Sequence, residues 1–236
     1  MAQVTCLQIF KYEGIRNKVW AFTMMQFAHK HLTKAEGLEF YKLMGSGKDF
    51  GFNPLPDWST YALLTIWENE DKAKTFFNSS ELFEKYAFHT VNITTYYMRC
   101  IKSHGYWSGQ APFSIVKFSE NPNHPIGVIT RATIKKRYLL KFWNYVPHST
   151  KALKSNVDLL YTKGIGEVPI IQMATFSLWK NMEAIKAFAY QNEHHRKAVQ
   201  MTKKFNWYRE EMFSRFEVYS ITNLGAFISV ILSFLL

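Results

Sequence analysis

Apolar and polar residues alternate along Val4–Phe10, the two-residue period of a strand with one face in a core. From Val19 to Thr33 the period lengthens: Trp20, Met24, Phe27 and His31 recur at helical spacing, and Gly37 ends the segment. An extended stretch at Glu39–Met44 then runs into Gly45-Ser46-Gly47, read as a tight turn, and a loop through Pro54 and Pro56 follows. A strand at Tyr61–Trp67, a helix at Asp71–Phe88 and a strand at Ile93–Ile101 complete the first half. The second half has the same order: a strand at Ile126–Ile134, a helix at Arg137–Leu153, a strand at Asp158–Lys163 and a second Gly-x-Gly at Gly164–Gly166. A strand at Ile171–Trp179, a helix at Met182–Lys204 and a strand at Met212–Ile221 follow it. The aperiodic stretch His104–His124, containing Gly, Pro and Asn, joins the halves.

Sliding the sequence against itself by about 112 residues aligns Trp67, Asn69, Lys74 and Phe76 with Trp179, Asn181, Lys186 and Phe188. A repeat of this size points to one closed domain made of two related modules. Each module reads strand, helix, strand, strand, helix, strand, which is the ferredoxin-like unit. The expected fold class is therefore α+β, with two tandem ferredoxin-like repeats forming a dimeric α+β barrel-type fold within one chain. The repeats cover about 1–103 and 125–219 of a single domain 1–219, and 220–236 is an apolar tail. Ligands are expected between sheet and helices. At the same offset Phe83 faces His195, so the second half is the better candidate for chemistry.

The formal charge of +11 calls for an anionic partner. Lys and Arg are scattered and no nucleic-acid fingerprint is present, which favours a membrane surface over nucleic acid. The high aromatic content suits a dense core or a large apolar ligand. Cys6 and Cys100 form no CxxC or CxxCH pattern, so a disulfide framework, a zinc site and covalent c-type haem lack support, and a reducing compartment is the default. No secretory signal is evident at Met1–Ile9. Leu224–Leu236 is almost unbroken in its apolar and small residues but shorter than the roughly 17–25 residues of a transmembrane helix. An interfacial anchor, a buried end and a true span all remain open for it.

Along Met182–Lys204 the residues Met182, Ile185, Phe188, Ala189 and Val199 cluster on one helical face; His195 flanks that face and His194 points away from it. His195 is thus the histidine able to reach an interior, either as a metal or haem ligand or as a hydrogen-bonded structural residue. No HExxH, facial-triad, GxSxG, GxGxxG or phosphate-loop pattern occurs. The two Gly-x-Gly segments read either as turns needing positive φ or as points of close backbone approach to a ligand. Arg131 alternates with Ile129 and Thr133 on a predicted strand, and if buried it needs an anionic partner, for which a haem propionate would serve. A surface ion pair is the alternative. Arg209, Glu210 and Glu211 read as a solvated charge cluster.

A set of segments resembles the spheroidene monooxygenase family of bacterial carotenoid ketolases. They are Phe40–Gly47 followed by Gly51–Pro56, Gly109–Phe113, Thr130–Thr133 with Phe142-Trp143 and Val146-Pro147, Lys163–Pro169, Thr175–Trp179, and Trp207–Glu211 with Arg215-Phe216. The similarity runs from about Gln8 to Val218; the tail after Tyr219 and the join at Ser119–Pro125 depart from the family pattern. The resemblance implies a haem-containing enzyme that uses O2 and a ferredoxin-type electron donor. It would hydroxylate an end region of a linear carotenoid and then form a ketone. It also implies that His195 ligates the haem iron, with Arg131 as a catalytic residue that holds a propionate or polarises bound oxygen. The expected setting is cytoplasmic, at the cytoplasmic face of the membrane, with a homodimer possible. A non-catalytic haem or carotenoid carrier on the same barrel is the alternative, and dehydration or peroxidation at haem is a third reading.

Overall fold

The computed structural model describes residues 2–50, 53, 55–117, 124–144, 156–191, 201–202 and 204–225. Eight antiparallel strands close into one barrel: β1 (Val4–Lys11), β2 (Leu38–Gly47), β3 (Pro56–Trp67), β4 (Asn92–Gly105), β5 (Ile126–Ile134), β6 (Leu159–Val168), β7 (Gln172–Trp179) and β8 (Tyr208–Gly225). Around the barrel they run β1-β3-β2-β6-β7-β5-β8-β4. The fold is thus α+β, and a single chain supplies the whole barrel. The first half contributes β4-β1-β3-β2 and the second β6-β7-β5-β8. The halves meet along the long β4–β8 pairing and at a short seam where Gly45 pairs with Gly166 and Ser46 with Ile165.

The alternation of β1 sends Leu7 and Ile9 into the barrel, where they join Leu64, Met98, Ile129, Phe176, Phe216 and Val218 in an apolar interior. The opposite faces of the strands carry helices. α1 (Ile15–Phe27), α2 (His29–Leu32), α3 (Glu70–Ser79) and α4 (Glu81–His89) cover the first half. The single helix expected over Asp71–Phe88 is two helices. Ser80 is extended, at φ −85° and ψ 133°, and its hydroxyl accepts from the Phe83 N–H, so it ends α3 and caps α4. On the second half, α5 is described over 139–144 and α6 over Met182–Gln191. β8 continues to Gly225, which pairs with Asn92, so the boundary expected at 219 falls inside a strand. Residues 226–236 lie outside the described residues, and among those described no helix is long and apolar enough to cross a membrane.

Candidate functional site

The two halves pair their strands in the same register, which allows position-by-position comparison. Val4 opposes Trp67 in β1–β3, and Ile126 opposes Trp179 in β5–β7. The helices follow suit. Trp67 meets Phe76 at 5.0 Å and 43°, while Trp179 meets Phe188 at 5.0 Å and 44°. Over the first sheet the space beneath the helices is filled: Phe10, Leu43, Tyr61, Leu63, Phe77 and Phe83 are all buried there, with Phe10 stacked on Tyr86 at 4.5 Å. The register places Ala132 where Phe10 stands, Thr175 where Leu63 stands, Gly164 where Leu43 stands and Thr162 where Tyr41 stands. Each exchange removes side-chain volume from the same surface. The result is a cavity of about 680 Å³ over the second sheet, walled by Phe142, Trp179, Ile185, Phe188, Trp207 and Phe213.

The two Gly-x-Gly segments are not turns. Both lie within strands, β2 and β6, and their residues pair with each other at the seam. None of their glycines has positive φ among the described residues. Gly45, Gly47, Gly164 and Gly166 all line the cavity, and a missing side chain gives depth at Gly45 and close strand approach at Gly166. A Cβ built on Gly45 meets no atom within 4 Å and would project into open space, whereas one on Gly166 would stand 2.5 Å from the Gln172 carbonyl oxygen. Nearby, Lys163 donates to Asp57 at 2.9 Å and to the Asp49 carbonyl at 3.0 Å. Burial alone would raise the Asp57 carboxyl, but hydrogen bonds from the Ser59 hydroxyl, Lys163 and the Ser59 N–H outweigh it and hold its pKa at about 2.

Arg131 is 2% exposed and lies on the interior face of β5 with Ile129, the opposite face from the cavity-lining Val128, Thr130 and Ala132. The anion that a buried arginine requires comes from the protein itself. Its guanidinium donates to Glu210 and lies 3.7 Å from Glu167. Glu167 also accepts from the Trp107 indole N–H at 2.7 Å and pairs with Lys42 at 2.8 Å. Glu210 is therefore partly buried and held by partners, not part of a freely solvated cluster: it accepts from the Ser108 and Gly109 N–H groups at 3.1 and 2.7 Å, clasping the loop that closes this end of the barrel. Burial pushes the Glu210 carboxyl up. The Gly109 N–H, the Arg131 charge and the Ser108 N–H together hold it below the usual carboxylate range. Alternation with Met212, Ser214 and Phe216, all buried, is the sequence signal that turns Glu210 inward.

No family model matches the chain. It is 28% identical to the spheroidene monooxygenase of Rhodobacter capsulatus over 216 residues, covering 91% of this chain and 90% of that one. With the spheroidene monooxygenase of Rubrivivax gelatinosus it shares 30% identity over 186 residues, 78% of this chain and 70% of the relative. The chain belongs to the spheroidene monooxygenase family. Two aldoxime dehydratase crystal structures, one in complex with butyraldoxime, superpose on this monooxygenase with TM-scores of 0.63 and 0.62. They cover 92% of this chain and 81% and 80% of theirs, and at 8% and 9% identity they report on the fold alone.

His195, expected from the sequence as the iron ligand, and its neighbour His194 lie outside the described residues. Among the described residues of this monooxygenase no group of three or more His, Cys, Asp and Glu is arranged to hold a metal ion. His29 hydrogen-bonds Tyr41, and His89 hydrogen-bonds Asn17 while stacking on Trp20 at 4.0 Å. Both cysteines are buried, and burial raises their thiols, that of Cys100 to about 11.

Proposed function

We infer that the protein is a haem-dependent, O2-using monooxygenase that hydroxylates and then ketolates an end region of a linear carotenoid or related polyisoprenoid. The observation that carries this reading is the cavity over the second sheet, at the place where the first half is solid. Its volume of about 680 Å³ is of cofactor-pocket size, typically about 300–1,000 Å³. The residues present suit a flat, largely apolar macrocycle. Gly45 and Gly164 leave the sheet backbone bare, Trp179, Phe188, Trp207 and Phe213 offer aromatic walls, and Arg215 places a cation in the lining for a carboxylate substituent. The element order and matched registers support two tandem ferredoxin-like repeats as the origin of this asymmetry.

His195 is the proposed iron ligand. The offset that pairs Trp67 with Trp179 and Phe76 with Phe188 pairs Phe83 with His195, and Phe83 packs over the first sheet against Phe10. Where that half sets Phe83 against Phe10, the sequence of the other offers a histidine and an alanine, His195 and Ala132, at the matched positions. Bound haem supplies the activation of O2. The chain's own contribution is to exclude water with the aromatic wall, to hold the carotenoid end at one depth and to leave its length toward the mouth. Arg131 is assigned to positioning, since through Glu210 it fixes the 105–110 loop on the interior side of β5. In each of the two rounds one oxygen atom of O2 enters the same carbon and the other leaves as water, with two electrons from a ferredoxin-type donor and two protons, and the geminal diol left by the second round loses water to give the ketone. The setting proposed is the cytoplasmic face of a membrane, where a carotenoid resides.

The test is expression with a haem supply, an absorption spectrum of the wild type and of His195→Ala, and product analysis with a linear carotenoid, reductant and O2. A Soret band that shifts or vanishes in the variant, with hydroxylated and keto products from the wild type alone, is the expected result. A folded wild type without a Soret band overturns the haem reading. Haem binding without O2-dependent product leaves a carrier instead.

A further inference from the structure

The same cavity opens through a rim of apolar side chains that face solvent. Phe22 of α1 and Trp58 of β3 line the cavity yet are 56% and 51% exposed, and their rings meet at 5.4 Å. On the far side Val168 and Ile170, at the β6–β7 hairpin, also line the cavity and are exposed. Ile170 sits at φ 71°, a left-handed conformation that strains a β-branched residue. A hairpin tip in water would take Gly or Asn there; this one keeps an isoleucine pointing outward. From Phe22 the apolar surface continues along α1, because Ile15, Val19 and Phe22 fall on one helical face and are all exposed. Single exposed apolar residues are ordinary, but a contiguous set around the opening of an apolar chamber marks an interaction surface.

Charge selects the partner. Between Lys11 and Lys34 the chain carries five Lys or Arg and one acidic residue, Glu13. At about 100° per residue, Arg16 and Lys18 stand on either side of the Ile15–Val19–Phe22 stripe. Neither forms an ion pair among the described residues, and the carboxylate next to Trp58, Asp57, is already paired with Lys163. An apolar ridge bordered by cations, with a tryptophan at its edge, is the pattern that enters the headgroup boundary of an anionic bilayer. The geometry points to this rim as a membrane-docking mouth: α1, Trp58 and the β6–β7 tip seat on an anionic lipid surface so that the cavity opens directly into the acyl layer. An elongated apolar substrate then passes from lipid to chamber without crossing water. This rests on the lipid-soluble substrate proposed above, and it assigns docking to the barrel itself rather than to the apolar tail.

The test uses the full chain and no carotenoid, so its outcome is separate from that of the oxygenation reading. Co-sedimentation is measured with phosphatidylcholine vesicles, with and without phosphatidylglycerol, for the wild type and for Phe22→Ser/Trp58→Ser. Both residues are exposed, and circular dichroism checks folding. Binding is expected to need the anionic lipid and to fall about tenfold or more in the double variant, the loss of two interfacial aromatic anchors. Brominated lipids are expected to quench a fluorescence component that is missing from Trp58→Phe, a readout that anchoring by the tail does not give. Binding that is unchanged in the double variant, or unquenched at Trp58, overturns the proposal. So does an absence of vesicle binding together with a dimer in sedimentation velocity that the double variant dissociates, which would mean that a second copy covers the rim.

Discussion

The helix-facing surfaces of the two half-sheets share a register and differ in what they carry. The first is a dense aromatic layer in which Phe10 contacts Phe83, Tyr86 and Tyr12, while at matched positions the second shows alanine, threonine and glycine and encloses a cavity. A close-packed layer contributes dispersion and burial, and a hollow one forgoes them. One half thus supplies stability to a barrel whose other half is kept open for a ligand. The contrast is specific enough to be reversed by substitution.

The largest effect is expected from exchanging the layers' key positions. Phe10→Ala opens a cavity in the packed half and is expected to cost about 3–5 kcal/mol in urea unfolding, the range for buried Phe truncations. Ala132→Phe puts the same ring into the hollow half. There it is expected to change stability by less than about 1 kcal/mol, because room already exists, while abolishing retention of haem followed by the Soret band. Equal losses of stability at the two positions would show that the second half is as tightly packed as the first.

The barrel interior holds a second contrast. The register that matches Val4 to Ile126 matches Ile9 to Arg131, so an apolar contact in one half is an ionic one in the other. Glu210→Gln leaves Arg131 with Glu167 alone at 3.7 Å. The expected cost is about 2 kcal/mol, below the roughly 3–5 kcal/mol for stripping a buried charge of every partner. Chymotrypsin cleavage near Tyr106 is expected to speed up as the 105–110 loop loses its clasp. An unchanged cleavage rate would mean that the Glu210 contacts with Ser108 and Gly109 do not hold that loop.

Much of this was legible in the sequence, and the exceptions have physical reasons. The eight strands are legible as short extended segments bounded by turn residues and loops, and apolar–polar alternation marks them only weakly because β1, β5 and much of β3 are buried on both faces. The helix from Asp71 was read through Ser80 because a serine is tolerated in a helix, and only its extended backbone reveals the break. Gly45–Gly47 and Gly164–Gly166 were read as turns, glycine's commonest use. Their strand character depends on pairing with each other across the seam, a contact between segments more than a hundred residues apart. The offset that singles out His195 against Phe83 is visible in one dimension. The shaved surface beneath is not, since the exchanges of Phe10 for Ala132 and Leu43 for Gly164 emerge only once the strand registers are known.

The smallest expected effect lies at the seam, where the halves meet through few strand pairs and the Lys163–Asp57 ion pair supplements them. The Asp57 pKa is depressed to about 2 from an ordinary 3.8, so the folded state favours the ionised carboxylate. Its contribution is therefore complete above about pH 4 and is lost as pH falls toward 2. Allowing for solvent screening of a partly exposed group, that contribution is about 1 kcal/mol. Asp57→Asn is expected to lower stability by this amount at pH 7 and to match the wild type near pH 2, as measured by urea midpoints across that range. A difference between the two proteins that stays constant from pH 7 to pH 2 would show that the carboxylate's charge contributes nothing to the seam. The strand pairs of the seam and the Lys42–Glu167 ion pair, which also joins β2 to β6, would then hold that side of the barrel without help from Asp57.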